Sequence, residues 1–107
     1  IIFNTKKHFL EGNVQYYQIT NEGNAVHEII KALYALKLQT VIVEGGSQLL
    51  QSFIDAGLWD EARIIENGEL KIENGLNAPV LNNHHLISEQ KIVTDTITVF
   101  QNLKYKI

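Results

Sequence analysis

The segment that most constrains this chain is Thr40-Val41-Ile42-Val43, which runs directly into Glu44-Gly45-Gly46-Ser47. A continuous β-branched and apolar run of four is the pattern of a strand covered on both faces, as in a parallel sheet. Beyond the glycines, Leu49, Leu50, Phe53 and Ile54 recur at helical spacing, and Gly57 stands where a helix C-terminus favours glycine. The expectation is a central strand, a glycine turn and a helix in immediate succession.

The flanking sequence extends this into an α/β order. Phe3 to Lys7 and Val14 to Ile19 read as strands, the second bounded by Glu11-Gly12-Asn13 and Asn21-Glu22-Gly23. Asn24 offers an N-cap, and Val26, Ile29, Ile30, Leu33 and Leu36 or Tyr34 make one apolar stripe, which predicts a helix over 25–37. A short strand is expected from Ala62 to Ile65, and Asn67-Gly68 and Asn74-Gly75 mark turns after it. Ile92-Val93 and Thr96 to Phe100 read as a hairpin with Asp95 in its connection, and Lys104 to Ile107 as an extension of the last strand. The result is an α/β domain with a mixed sheet and flanking helices.

Composition narrows the function classes. The length of 107 residues fits one domain or part of one. Hydrophobic residues at 45% and charged residues at 20% belong to a chain that buries a core. Nine Lys and Arg against twelve Asp and Glu give a net charge of −3 without a run of like charge, which leaves no footprint for nucleic acid. No apolar run approaches the ~18–20 residues that cross a bilayer, so no membrane partner and a soluble, cytoplasmic protein are expected. The absence of cysteine excludes a disulfide framework, a thiolate nucleophile and a Cys-based zinc site. The absence of methionine, and so of an initiator, makes the chain read as a piece cut from a longer protein.

Chemistry concentrates at the glycine turn. A strand that ends in two glycines and opens a helix presents the free N–H groups of the first turn and the positive end of the helix dipole, an arrangement suited to a phosphate. Gly45 and Gly46 remove the Cβ atoms that keep an anion from the backbone, and Ser47 either caps the helix or donates its hydroxyl to a ligand. The same dipeptide also occurs as plain turn chemistry, and the G-x-G-x-x-G pattern of a Rossmann site is absent. Glu44 stands at the C-terminal end of the expected strand, where open α/β sheets place ligands. It either accepts hydrogen bonds from substrate hydroxyls and ring N–H groups or is a solvated strand-end carboxylate.

The other candidates have plainer readings. His84-His85 is read as surface loop, because neighbours in an extended chain point to opposite sides and no third ligand lies at metal spacing. Asp60 and Glu61 diverge for the same reason, with Asp60 capping the turn after Trp59. His8 and His27 are isolated. Tyr16-Tyr17 places one ring on each face of a strand, and Trp59 is a core or interface anchor.

The run from Val41 through Glu44-Gly45-Gly46 to Leu50, continued by Phe53-Ile54-Asp55-Ala56-Gly57-Leu58-Trp59-Asp60-Glu61, resembles the reductase domain of the bacterial bifunctional riboflavin-biosynthesis protein RibD. That family reads strand, Glu-Gly-Gly, small residue, Leu, then Phe-Leu, Gly-Leu and Asp-Glu. Softer similarity covers the whole chain, and Ala78-Pro79-Val80-Leu81 resembles a loop of the family. The resemblance implies a dihydrofolate-reductase-like fold that uses NADPH to reduce the ribose of 5-amino-6-(5-phosphoribosylamino)uracil to its ribityl form, the hydride coming from the cofactor. It implies that Glu44 faces this phosphoribosyl-pyrimidine substrate, and that Gly46, Ser47, Gln48, Leu49, Leu50, Gln51 and Ser52 line the cofactor site. Gly45 is added as backbone that permits close approach. No catalytic side chain and no metal ligand is assigned. Glu44 separates this branch from dihydrofolate reductase, which usually carries glycine there.

The departures bear on the same expectation. The family domain is about twice this length, within the usual range of domain sizes. Its N-terminal half holds a substrate-contacting lysine and a serine-leucine-aspartate-glycine motif that this chain lacks. Residues 1–107 are therefore read as a single partial domain, the C-terminal half. The deaminase half of such proteins needs His-x-Glu and Cys-x-x-Cys around zinc; His27-Glu28 is adjacent and cysteine is absent, so no deaminase is expected. Glu66 to Asn77 departs from the family's usual loop. Members of the family resemble dimers, and a half-domain exposes sheet edge and apolar surface, so a homodimer is expected. Two rivals stand beside the reductase: a related reductase of a pterin, and a non-catalytic binding or assembly module of the same fold.

Overall fold

The structure, a computed structural model, describes residues 1–20, 23, 25–68, 75 and 77–105. The chain divides into two units, Ile1–Val43 and Glu44–Ile107. The first carries strands β1 (Ile2–Asn4), β2 (Phe9–Glu11) and β3 (Val14–Gln18) and helix α1 (Ala25–Ala35). β3 is central, with β1 parallel on one side and β2 antiparallel on the other. β2 is a strand that the sequence did not announce. It closes onto β3 through Gly12, whose φ of 59° is the left-handed conformation that tight hairpin turns require.

Register explains the aromatic pattern. Phe9 lies opposite Tyr16 with ring centroids 5.2 Å apart, and Phe3 lies opposite Tyr17 at 5.8 Å. The two tyrosines thus occupy opposite faces, as alternation along a strand dictates. Lys7 Nζ stands 4.5 Å from the Tyr16 centroid, a cation–π contact.

In α1, Ala32 is buried, and Val26, Ile29, Ile30 and Leu33 are half-buried on the expected stripe, whereas Tyr34 and Leu36 are exposed. The helix ends at Ala35, short of the expected 37, in a Schellman turn. Lys37 N–H donates to Tyr34 C=O at 2.9 Å and Leu38 N–H to Leu33 C=O at 3.0 Å, with Lys37 at φ 62°. The Glu28 carboxylate accepts the Thr20 N–H and hydroxyl at 3.0 Å each, which ties the end of β3 to α1. The N-cap expected at Asn24 and the turn at Asn21-Glu22 lie outside the described residues.

The central strand expected over residues 40–43 does not form. Among the described residues no strand pairs with it, and Val41 and Ile42 are 53% and 85% exposed. The cause is pairing rather than propensity: a strand needs a neighbour's N–H and C=O groups, and each sheet is built without this run. The single mixed sheet of the sequence reading is replaced by two three-stranded sheets within α/β content.

The second unit carries helix α2 (Ser47–Asp55), strands β4 (Glu61–Asn67), β5 (His84–Ile92) and β6 (Asp95–Asn102), and a 3-10 turn at Leu103–Tyr105. β6 is the centre of an antiparallel sheet in the order β4-β6-β5. Asp95 belongs to β6 and pairs with Ile92, so the hairpin connection is Val93-Thr94 and not Asp95. His84-His85 lies in β5 and not in a loop, with His84 edge-on to Phe100 and His85 hydrogen-bonded to Gln101 at 3.1 Å. Leu103–Tyr105 turns away from strand geometry, and residues 106–107, like the Asn74-Gly75 turn, lie outside what the structure describes in full.

Among the described residues of this unit, the buried ones are Phe53 and Ile54 of α2 and one polar side chain, Asn102. Full burial of each apolar side chain contributes about 1.5–3 kcal/mol. Asn102, 1% exposed, joins the end of β6 to the turn after α2: its Nδ2 donates to Trp59 C=O at 2.9 Å and to Gly57 C=O at 3.3 Å, and its Oδ1 accepts the Lys104 N–H at 3.1 Å. Its own N–H donates to Asp60 C=O at 3.0 Å. Gly57, at φ 69°, closes α2 as expected, with Leu58 N–H on Phe53 C=O at 3.0 Å. Among the described residues no helix is long and apolar enough to cross a membrane.

Candidate functional site

The two glycines of the turn differ in what they do. Gly45 has φ 129°, a conformation that side-chain-bearing residues rarely adopt, so the turn itself requires glycine there. Gly46 is the N-cap of α2 at φ −64° and ψ 153°, ordinary extended backbone. No heavy atom lies within 4 Å of where its Cβ would stand. Neither conformation nor packing calls for glycine at position 46.

The first backbone bond of α2 runs from Leu50 N–H to Gly46 C=O at 3.2 Å, so the N–H groups of Gly46, Ser47, Gln48 and Leu49 have no partner within the helix. The first turn holds no acidic residue that would occupy them. Ser47 is the first helical residue and Gly46 the cap, so the capping role considered for Ser47 falls away. Its half-buried hydroxyl has no hydrogen bond among the described residues.

Glu44 is exposed, and its carboxylate has neither a hydrogen bond nor an ion pair among the described residues. It precedes the helix at the end of an unpaired stretch, not at the end of a strand.

The structure gives the remaining expected residues separate tasks. Gln48 and Leu49 are exposed and Leu50 is half-buried. Ser52 Oγ donates back to Gln48 C=O at 2.8 Å. Gln51 turns its carboxamide away from the N-terminus: Nε2 donates to Val80 C=O at 3.0 Å and to Asp55 Oδ1 at 2.9 Å, while Oε1 accepts the Val80 N–H at 2.8 Å. The first turn therefore gathers Gly46 to Leu49, and the side chains of Gln51 and Ser52 are committed elsewhere. Val80 is a partner that periodicity did not expose; the only local signal was Pro79, which favours extended backbone at Ala78.

The first unit holds a cavity of about 480 Å³ walled by Ile2, Phe3, Tyr16 and Ile19, with Lys6 and Lys7 also lining it. None of residues 44–52 lines it. Among the described residues, no group of three or more His, Asp or Glu side chains comes together as metal ligands do.

Comparison with known proteins supplies the class to which this geometry belongs. No curated protein and no solved structure matches the chain. The family model described as RibD C-terminal domain matches residues 1–67, which is more than half of the chain and includes the whole glycine turn and α2. A strand-poor approach, a glycine required by φ, a second glycine required by nothing internal and four free N–H groups are carried by the matched part, and on that match the chain belongs to the RibD C-terminal domain family.

Proposed function

We propose that this chain carries a cofactor phosphate site of an NADPH-dependent reductase that converts the ribose of 5-amino-6-(5-phosphoribosylamino)uracil to its ribityl form, with Glu44 toward the substrate. Membership of a riboflavin-biosynthesis reductase family supports the reaction class. One observation carries the site. Gly46 has ordinary dihedrals and open space at its missing Cβ, and a phosphate drawn against the N–H groups is the demand that accounts for glycine there.

When bound, NADPH supplies the hydride. What the chain's own residues do is bind and orient. The N–H groups of Gly46, Ser47, Gln48 and Leu49 hold anionic oxygen at the helix N-terminus, where the dipole adds about 0.3–1 kcal/mol at an exposed site. The Ser47 hydroxyl is available as a further donor. Glu44, acceptor-only when ionised, takes hydrogen bonds from sugar hydroxyls or ring N–H groups and repels phosphate from its own side of the turn. Gly45 sets the direction of the backbone between them. Residues 1–107 as part of one reductase domain, a homodimer and a cytoplasmic location belong to the same proposal.

Calorimetric titration with NADPH of the chain and of Gly46→Val tests it. Valine favours the extended backbone found at this position, so the variant folds. Binding that the valine abolishes, with unfolding unchanged, is the expected result. Equal binding by both, or no binding by the folded parent, removes the phosphate site.

A further inference from the structure

An asparagine followed by glycine is open to a reaction of the chain with itself, because glycine has no side chain to screen its amide nitrogen. That nitrogen attacks Cγ of the asparagine carboxamide. A new C–N bond forms, the bond to the carboxamide nitrogen breaks, and ammonia leaves behind a cyclic imide. Water then opens either imide carbonyl, giving aspartate or isoaspartate. Water is consumed and ammonia released, and neither an oxidant nor a reductant is needed.

Asn67 and Gly68 form such a pair at the end of β4. The Gly68 N–H, which carries the attacking nitrogen, donates to Thr94 C=O at 3.0 Å. Asn67 lies opposite Asp95, one position further into the ladder. Hydrogen-bonded and non-hydrogen-bonded pairs alternate in an antiparallel ladder, so the bond at Gly68 makes Asn67 and Asp95 a non-hydrogen-bonded pair. In such pairs the two side chains share a face and stand closest. Asn67 is exposed and Asp95 half-buried, and Asp95 has no ion pair among the described residues. On the other side of β6, Asp95 faces Ile92, which brings no cation.

Ring closure turns Asn67 out of extended backbone and takes the Gly68 N–H off Thr94. The reaction therefore waits for this end of the ladder to fray, and strand ends open at low free-energy cost. Once it has run, a carboxylate stands where Asn67 faced the Asp95 carboxylate, and like charges directly opposite destabilise a strand pair. Isoaspartate also adds one carbon to the main chain and loses the register beyond it.

We propose that Asn67 is a spontaneous modification site with a conformational gate. The Gly68–Thr94 bond holds deamidation off, fraying of the β4–β6 end starts it, and the carboxylate left opposite Asp95 keeps that end open. The mark is irreversible and records how long the end of the sheet has been undone.

The full chain is held in warm neutral buffer, folded and in urea, and peptide mapping by mass spectrometry follows Asn67. Conversion is expected to be about three- to tenfold slower in the folded chain, from the one hydrogen bond that opening must break. Gly68→Ala is expected to suppress conversion in both states. Its Cβ comes no nearer than 3.4 Å to the Thr94 carbonyl oxygen, so the ladder is kept while the methyl group screens the nitrogen. Equal rates in the folded and unfolded chain remove the gate. No conversion in urea, or conversion undiminished in Gly68→Ala, removes the imide route; each of these results overturns the proposal.

Asn67→Asp stands in for the product. Hydrogen exchange of the Gly68 amide is expected to quicken about two- to fivefold at low salt, and less at high salt. Asp95→Asn in the same background is expected to restore the parent rate. Unchanged exchange in Asn67→Asp, or an acceleration that Asp95→Asn does not relieve, overturns the claim that the product keeps the end open.

Discussion

Replacing Asn102 with alanine is expected to destabilise the chain by about 2–4 kcal/mol, and the figure follows from what the side chain holds. It makes one good donation to Trp59 C=O at 2.9 Å, one long donation to Gly57 C=O at 3.3 Å, and accepts the Lys104 N–H at 3.1 Å. Each net hydrogen bond is worth about 0.5–1.5 kcal/mol, and leaving a buried carbonyl without a partner costs about 1–3 kcal/mol. At 1% exposure, water does not reach the gap without movement. Asn102→Asp is expected to be worse than alanine at neutral pH, because a carboxylate then faces two carbonyl oxygens in a buried place. Its neutral form is the one that can donate, so its folded pKa is raised and its penalty grows as pH rises through the unfolded value of about 3.9. Urea unfolding followed by fluorescence reads this well, since the chain has one tryptophan and that tryptophan, Trp59, is a partner of Asn102. Asn82→Ala, at an exposed position, serves as control. A loss below about 0.5 kcal/mol for Asn102→Ala, the size typical of surface changes, refutes the reasoning, as does an aspartate no worse than alanine at neutral pH.

Other outcomes are expected from the backbone. Gly45→Ala is expected to cost about 1–3 kcal/mol despite open space around it, because φ 129° is closed to alanine; equal cost for Gly46→Ala in parallel melts contradicts this. Lys37→Gly, at the left-handed closing position of α1, is expected to gain about 0.5–1 kcal/mol in chemical unfolding, and a loss there refutes the Schellman assignment. Val93 stands at φ 56° on the hairpin tip and is 97% exposed, so Val93→Asn relieves strain and gives up no packing. A rise in thermal midpoint equivalent to about 0.5–1 kcal/mol is expected, and an unchanged midpoint argues against strain.

The parts of the fold that were legible in the sequence are those whose cause is local. The Leu49, Leu50, Phe53, Ile54 spacing and Gly57 marked α2 and its end, and the stripe from Val26 to Leu33 marked α1. Thr96 to Phe100 and Ala62 to Ile65 announced β6 and β4 because they are rich in β-branched residues. β5 was hidden by its own composition: Ser88-Glu89-Gln90-Lys91 is polar on both faces, as an edge strand with a bulge between Leu86 and Ser88 permits. Residues 40–43 failed in the opposite sense, since strand propensity is local whereas ladder pairing is not. At the candidate site, Glu44 to Leu49 was legible from the motif. That Gly45 answers to φ and Gly46 does not, and that Gln51 answers to Val80, depend on dihedrals and on a contact across 29 residues, which spacing does not encode.

The unpaired run over residues 40–43 has a consequence for how the protein behaves at high concentration. Four uncharged residues, three of them β-branched valine or isoleucine and one threonine, lie outside both sheets with unused ladder groups and with Ile42 85% exposed. Such a stretch is a template for strand addition between molecules, the route by which soluble chains form aggregates. The nearest charges in sequence, Lys37 and Glu44, bracket it as gatekeepers of opposite sign. Solubility of this chain therefore depends on those two residues in a way that its net charge of −3 does not convey.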